Sequence, residues 1–484
     1  MNNKKHKFLF DIAWYFVGGI IPILVGFIRV PIFTRYFTAS EYGIYGIILI
    51  TYTILTLFLF SWLANCIWRF YNKYKNKNEL PRLYSNLFLL FIAFSALFTI
   101  IAVGWSIGSN EEETKRLVLY VFLQLMVSNL NNYMLIVHRL EENSGLFNTV
   151  TMLRAILSFG LQYILTFRLG WRIEAIPSSM IIVEAIISLF LISKFLQTGK
   201  IKIGLISKTT LKELFEYAIP GIISNLGLYL LTSSDRYVIA LFEEMDKVGI
   251  YNQVYNLCQI SIMALVNIYL SVINPRFFKE LESNFNATSR LTIIYIKPFL
   301  LILAPIVTYF SLFARPVATV LLGPEFRVGY PLIPWVSFAV FIYGLTLFFE
   351  NRLKLNSKYK PVIIGFLICA AINIGINFFT IPKWGYFWAG ISTFISYLIL
   401  LIYLIYQDIR KNGLLLKLPA NILPAFAFLI LQSFIYTRYI ESYSQDNFTL
   451  LTLLTATVFT ITYFIIVVIF NIKDLRIFQH IQNQ

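Results

Sequence analysis

The chemistry-bearing residues of this chain are polar groups set inside long apolar runs. In the first run Asp11, Trp14, Gly18, Pro22, Gly26 and Arg29 follow one another at intervals of three or four. That spacing puts them on one helical face. In a later run Asn225, Tyr229, Ser233 and Arg236 share a face, with Asp235 adjacent. Tyr251, Asn252, Tyr255, Asn256 and Gln259 occupy adjoining rows of the next run. Another run carries Gln124, Ser128, Asn131 and Asn132, and a further one Asn373 and Asn377 one turn apart. Arg154, Glu184, Lys297 and Glu350 complete the charges inside such runs, with Glu216 near the end of one. A charge at the bilayer centre costs about 2.5–3.5 kcal/mol on insertion scales, so such groups usually face a cavity or a partner. Their chemistry is hydrogen bonding and charge pairing.

Structural readings stand beside these. Asn and Gln in spans also join helices by hydrogen bonds, an equal reading for Asn373 and Asn377. Arg154 and Glu350 sit near span ends, where snorkelling or pairing explains them. Most Tyr and Trp at span ends are interfacial anchors. Arg29 and Asp235–Arg236 favour function, because they fall at equivalent places of a repeat described below.

Signatures of covalent or metal chemistry are missing from the sequence. There is no Walker A, G-x-S-x-G, H-E-x-x-H, C-x-x-C or D-x-D pattern. His6, His138 and His480 are too scattered for a metal cluster, so no metal and no cofactor is expected. Cys66, Cys258 and Cys369 all lie in apolar runs and define no disulfide framework.

The elements that position these residues follow from composition. The 484 residues are 58% hydrophobic and 13% charged, with a net charge of +16. A soluble domain is about 25% charged. So few charges exclude a soluble globular protein, a disordered chain and a disulfide scaffold, and imply a polytopic membrane protein. Apolar runs of about 20 residues predict fourteen spans: 9–33, 43–68, 84–107, 117–137, 149–167, 175–195, 213–234, 248–272, 293–314, 332–351, 362–380, 386–406, 421–440 and 448–470. The first is basic-flanked like a signal peptide but too long, and reads as a retained span. The longest polar connections are 69–83, 196–212 and 315–331. With both termini inside, inner segments carry 26 Lys and Arg against 11 in outer segments. The positive-inside rule therefore places both termini in the cytoplasm and explains the positive charge without nucleic acid.

An internal repeat organises the spans. Glu41-Tyr-Gly-Ile-Tyr45 recurs as Lys247-Val-Gly-Ile-Tyr251, 206 residues later, and at that offset Arg29 falls on Asp235. Six spans separate the copies, so both halves keep one orientation, as in transporters with parallel repeats. The expected fold is an all-α membrane protein with two pseudo-symmetric six-helix bundles around a central cavity. The expected division is 1–208 for spans 1–6, 209–412 for spans 7–12, and 413–484 for a C-terminal helix pair.

The run Gly26-Phe-Ile-Arg-Val-Pro-Ile-Phe-Thr-Arg-Tyr-Phe-Thr-Ala-Ser-Glu-Tyr-Gly-Ile-Tyr45 resembles the first span and loop of Wzx-type polysaccharide flippases. Those belong to the multidrug/oligosaccharidyl-lipid/polysaccharide exporter superfamily. Ser233-Ser-Asp-Arg-Tyr-Val-Ile-Ala240 and Val248-Gly-Ile-Tyr251 resemble the seventh span and its sequel. The resemblance implies a non-enzymatic transporter that moves undecaprenyl-diphosphate-linked oligosaccharide from the inner to the outer leaflet, for O-antigen, capsule or a similar polymer. It implies a bacterial cytoplasmic membrane location, contact with membrane lipid, and polysaccharide polymerase machinery as a partner. In related lipid II flippases an arginine in a similar G-x-x-R setting faces the cavity, and Arg29 takes that role by resemblance. Val30-Pro31 departs from the acidic residue often found there, so lipid II itself is not carried over. Under this reading Arg29, Arg236 and Lys297 suit a diphosphate. Asp11, Trp14, Asn225, Tyr229, Asp235, Tyr255 and Gln259 complete the substrate candidates, and Glu184, Glu216 and Glu350 are ion-coupling candidates. The alternatives are a multidrug or cation exporter of the same superfamily and a membrane-bound polysaccharide polymerase or ligase. The mixed, Arg-bearing set disfavours the first, and the lack of a large outer loop the second.

Overall fold

The computed structural model describes residues 2–140, 144–197, 202–283, 288–355, 359–412, 420–440 and 450–482, and side chains over most of them. Every element among the described residues is helical. The first half of the chain holds α1 (Asn2–Phe33), α2 (Ala39–Thr56), α3 (Trp62–Asn76), α4 (Leu80–Gly108), α5 (Glu112–Leu140), α6 (Ser144–Phe167) and α7 (Ala175–Gln197). Next come α8 (Lys208–Phe242), α9 (Met245–Cys258), α10 (Ala264–Ser283), α11 (Thr288–Leu312) and α12 (Ala314–Leu321). The last are α13 (Leu332–Leu355), α14 (Tyr359–Trp384), α15 (Phe387–Asn412), α16 (Leu423–Ile435) and α17 (Leu450–Gln482).

Lipid offers no hydrogen-bond partners, so each apolar run satisfies its own backbone as a helix. Among the described residues twelve helices are long and apolar enough to cross a membrane, and α1 adds a shorter apolar stretch from Gly18 to Phe33. The remaining expected span is α5, whose apolar run is diluted by Gln124, Asn129, Asn131 and Asn132. These helices account for all fourteen expected spans. Large apolar side chains point outward along them, as Ile100, Leu189, Phe379 and Ile430 do. That is the surface a lipid solvent requires.

Packing divides the chain into two units: Met1–Arg29 with Ser40–Ser233, and Val30–Ala39 with Ser234–Gln484. In unit 1, α5 packs on α7 and α4, and α6 on α7. In unit 2, α13 is the central helix and packs on α15, α11 and α9. There α16 and α17 lie against each other and against α11. Gln432 Nε2 donates to the Phe459 carbonyl at 2.9 Å, and the Tyr463 hydroxyl donates to the Leu301 carbonyl at 3.1 Å. A second buried link is the Arg352 Nε–Asp408 Oδ2 ion pair at 2.7 Å, which joins α13 to α15.

The helix positions support the repeat. The helices α2 and α9 begin at Ala39 and Met245, and each ends in a π-helical turn, Leu57–Ser61 and Gln259–Met263. The second half carries extra structure between its third and fourth spans. The connection read from sequence as a polar loop over 315–331 contains α12 and a 3-10 turn, Pro324–Gly329. Ala314, Pro316 and Ala318 are buried along α12, a helix of eight residues that is too short to stand out in sequence beside full spans.

The segment Val30–Ala39 is held within unit 2 by this extra structure. Gly323 N donates to Thr34 Oγ1 at 2.8 Å, Arg35 Nη2 to the Val320 carbonyl at 2.7 Å, and Ala39 N to Glu325 Oε2 at 2.8 Å. The last bond caps the start of α2 with a carboxylate, which the helix dipole favours. Gly323 is required here, because an added Cβ would lie 1.7 Å from the Thr34 carbonyl oxygen.

Candidate functional site

Arg29, near the end of α1, is half-buried in unit 1. Its Nη2 donates to Ser158 Oγ on α6 at 3.3 Å. Its buried Nε has no hydrogen-bond partner among the described residues. Tyr45 and Tyr42 of α2 are its electrostatic neighbours. A guanidinium has five donors in a planar fork, so one long bond leaves most of its capacity for an anion. The same two helices also approach closely three turns earlier, where a Cβ on Gly18 would meet Asn148 of α6 at 3.0 Å. Asp11 and Trp14 lie on the earlier part of α1, whose side chains are outside the described ones.

Residues that the spacing argument missed lie along α6, Arg29's partner among them. Asn148, Ser158 and Gln162 are buried on α6. Both amide atoms of Gln162 and the Nδ2 of Asn148 lack hydrogen-bond partners among the described residues. Leaving a buried polar atom unpaired costs about 1–3 kcal/mol, so this face of α6 suits water or a polar ligand. The available signal was their polarity within, or for Asn148 just before, the apolar run 149–167.

A second polar cluster in unit 1 gathers several candidates. Glu184 of α7 is 1% exposed at its side chain. It accepts from Ser128 and lies 3.6 Å from Arg154 Nη1. Asn131 Nδ2 donates to the Glu184 carbonyl at 2.9 Å, and Arg154 Nη1 to Asn132 Oδ1 at 3.4 Å. On α8, Asn225 and Tyr229 are half-buried. Glu216 lies apart from them, exposed, 3.8 Å from Lys212 one turn earlier.

Unit 2 holds its charges more tightly. Asp235 and Arg236 are buried and paired, with Nη1–Oδ1 at 2.7 Å. The Tyr251 hydroxyl donates to Asp235 Oδ2, and Thr393 Oγ1 lies 3.4 Å from the same oxygen. The Arg236 guanidinium stands 4.0 Å from the Tyr255 ring centre and 5.0 Å from that of Tyr251. Tyr255 and Tyr397 bring their hydroxyls to 3.5 Å. The sequence reading named Asp235 and Arg236 on one run and Tyr255 on the next, but α15's share, Thr393 and Tyr397, has no local signal. Beside this, Asn377 Nδ2 donates to Asn373 Oδ1 at 3.2 Å, and Ser392 Oγ to Asn377 Oδ1 at 2.5 Å. The first bond lies within α14 and the second joins α14 to α15, the helix-joining arrangement.

The other unit 2 candidates are dispersed. Lys297 Nζ donates to Asn421 Oδ1 at 3.0 Å, tying α11 to the turn before α16. Gln259 is exposed at the π-helical turn after α9. Glu350 pairs with Lys354 through one oxygen, and its Oε2 is buried without a hydrogen-bond partner among the described residues.

Comparison with known proteins adds four findings. Residues 8–281 match a family described as "Polysaccharide biosynthesis protein". An uncharacterized membrane protein of Methanocaldococcus jannaschii is 21% identical over 441 residues, covering 83% of this chain and 84% of that protein. The fold is similar to that of the lipid II flippase MurJ in an inward closed conformation. The TM-score is 0.64 at 16% identity, covering 96% of this chain and 99% of the other. It is also similar to an inward-facing multidrug resistance MATE family transporter of the MOP superfamily, with TM-score 0.60 at 14% identity, covering 84% and 98%.

Proposed function

Because the chain belongs to the polysaccharide biosynthesis protein family, we propose that it flips undecaprenyl-diphosphate-linked oligosaccharide from the inner to the outer leaflet of the bacterial cytoplasmic membrane. The observation that carries this reading is Arg29. It is a cation within a span, held by one 3.3 Å bond, with its Nε unpaired among the described residues. A lipid-linked diphosphate is the chemistry that such a group recognises, through charge-assisted bidentate bonds.

The remaining candidates take roles under the same proposal. Asn225, Tyr229, Tyr255 and Gln259 supply hydrogen bonds and ring faces for sugars. Asp11, Trp14 and Lys297 complete the substrate path, and the Asp235–Arg236 pair opens to admit charge. Glu184, Glu216 and Glu350 couple transport to an ion. The membrane potential assists, because moving negative charge outward gains about 2.3 kcal/mol per charge per 100 mV. The two repeats, 1–208 and 209–412, act as the moving parts, with 413–484 appended and both termini cytoplasmic. Polysaccharide polymerase machinery receives the flipped lipid.

Deleting the gene tests the reading in cells. Lipid-linked oligosaccharide should accumulate on the inner leaflet and surface polysaccharide should disappear. Elongation or ligation of glycans by the purified protein would replace this reading with an enzymatic one.

A further inference from the structure

We infer that a pocket at one end of unit 1 binds a short glycan segment carrying a protonated amine. The inference rests on the transport reading above and narrows its substrate class. The pocket has a volume of about 550 Å³, within the range of small-molecule sites. Its walls come from the start of α2, the start of α5 and the α6–α7 connection. The positive-inside count puts this end of the bundle outside, where a translocated glycan emerges.

The walls are fixed by short-range bonds. Arg172 on the α6–α7 connection grips Glu41 of α2 in bidentate fashion, Nε–Oε1 at 2.9 Å and Nη2–Oε2 at 2.7 Å. Gly170, at φ 71°, turns the chain sharply before Trp171, whose N donates to the Leu165 carbonyl at 3.0 Å. The Glu111 carbonyl accepts from Lys115 N at 3.0 Å, and its Oε2 accepts from Thr114 at 3.1 Å. A ligand therefore meets a prepared surface.

The lining chooses the ligand class. Trp171 is 38% exposed and no ring among the described residues packs on it. An open indole face beside the half-buried Tyr120 suits the apolar face of a sugar and attracts a cation. Four glutamates and two arginines line the pocket, and Arg172 is spent on Glu41. Glu111, Glu113 and Glu174 then face one remaining guanidinium, Arg116. The pocket is thus acidic in a protein whose net charge is +16. No three acidic, His or Cys side chains among the described residues are placed to hold a metal ion. Carboxylates spread around an aromatic wall instead fit an extended polyol with an ammonium group, and they repel glycans rich in carboxylates.

Binding is measured on the full-length protein in lipid nanodiscs by calorimetry, without any transport step. The probes are a glucosamine tetramer with free amines, its N-acetylated counterpart and maltotetraose. The free-amine tetramer should bind, and the other two should bind at least about tenfold more weakly. Trp171→Ala, and Glu113→Gln with Glu174→Gln, should each weaken the amine tetramer by about tenfold. Trp171→Phe keeps a ring and should retain most of the binding. Equal binding of the three probes, no binding of the amine tetramer, or indifference to these substitutions would overturn the inference. Transport of lipid-linked oligosaccharide without amine binding sinks the pocket alone. Amine binding without transport sinks the flippase reading and leaves the pocket standing.

Discussion

Gly323→Ala is the most informative single-methyl change in the molecule. The added Cβ would sit 1.7 Å from the Thr34 carbonyl oxygen and 2.3 Å from its carbon, where real Cβ contacts essentially never fall below 3.0 Å. Both obstructing atoms are backbone, so the Val30–Ala39 segment or the 322–325 turn must retreat by more than an ångström. Three hydrogen bonds depend on that approach: Gly323 to Thr34, Arg35 to Val320, and Ala39 to Glu325. One is neutral and two involve a charged side chain. With about 0.5–1.5 kcal/mol for a neutral bond and 1.5–3 for a charged one, their complete loss would cost roughly 3.5–7.5 kcal/mol. Partial retention brings the expected loss to about 3 kcal/mol, or a fall in Tm on the order of 3 °C for a chain of 484 residues, at about 2.1 cal/mol/K of unfolding entropy per residue. A thiol-reactive dye reads the transition, because Cys66, Cys258 and Cys369 are all free and buried. Glu325→Gln keeps an oxygen at the α2 cap and should cost about 1 kcal/mol. An unchanged Tm in Gly323→Ala would refute the close packing of this segment.

Asp408→Asn leaves the Arg352 guanidinium buried beside a neutral partner, since both side chains are 0% exposed. Breaking such a pair costs about 3–5 kcal/mol, and the same dye assay should show it. Arg172→Ala removes a surface-accessible pair and should move stability by at most about 1 kcal/mol. For orientation, a single cysteine replacing the exposed Glu112 should react with an impermeant reagent from outside, and one replacing Lys75 should not. The reverse pattern would invert the topology.

Hydropathy made the helices legible because lipid leaves a backbone no other arrangement. Even α5 with its four amide side chains between Gln124 and Asn132 remains helical. The repeat was legible because the Glu41–Tyr45 motif marks a helix start that recurs at Lys247–Tyr251. The Val30–Ala39 contacts were not, since Ala39 and Glu325 are 286 residues apart and nothing local in either predicts the other. Arg29 stood out as an arginine among apolar residues. Ser158 and Gln162 did not, because single small polar groups in a span look like helix-joining residues. Glu216 and Glu184 read alike as acidic residues in or near spans. Only packing separates the exposed first from the second, buried against Ser128 and Arg154.

Translocation in reconstituted vesicles tests the central claim most directly. Purified protein is placed in liposomes with a fluorescent undecaprenyl-diphosphate oligosaccharide in the inner leaflet. Exposure of the sugar to an external glycosidase or lectin is followed under an imposed potential. The account predicts protein-dependent exposure that is abolished by Arg29→Ala and partly kept by Arg29→Lys, with both variants inserted and stable. Exposure by Arg29→Ala at the wild-type rate, or none by the wild-type protein, would contradict it.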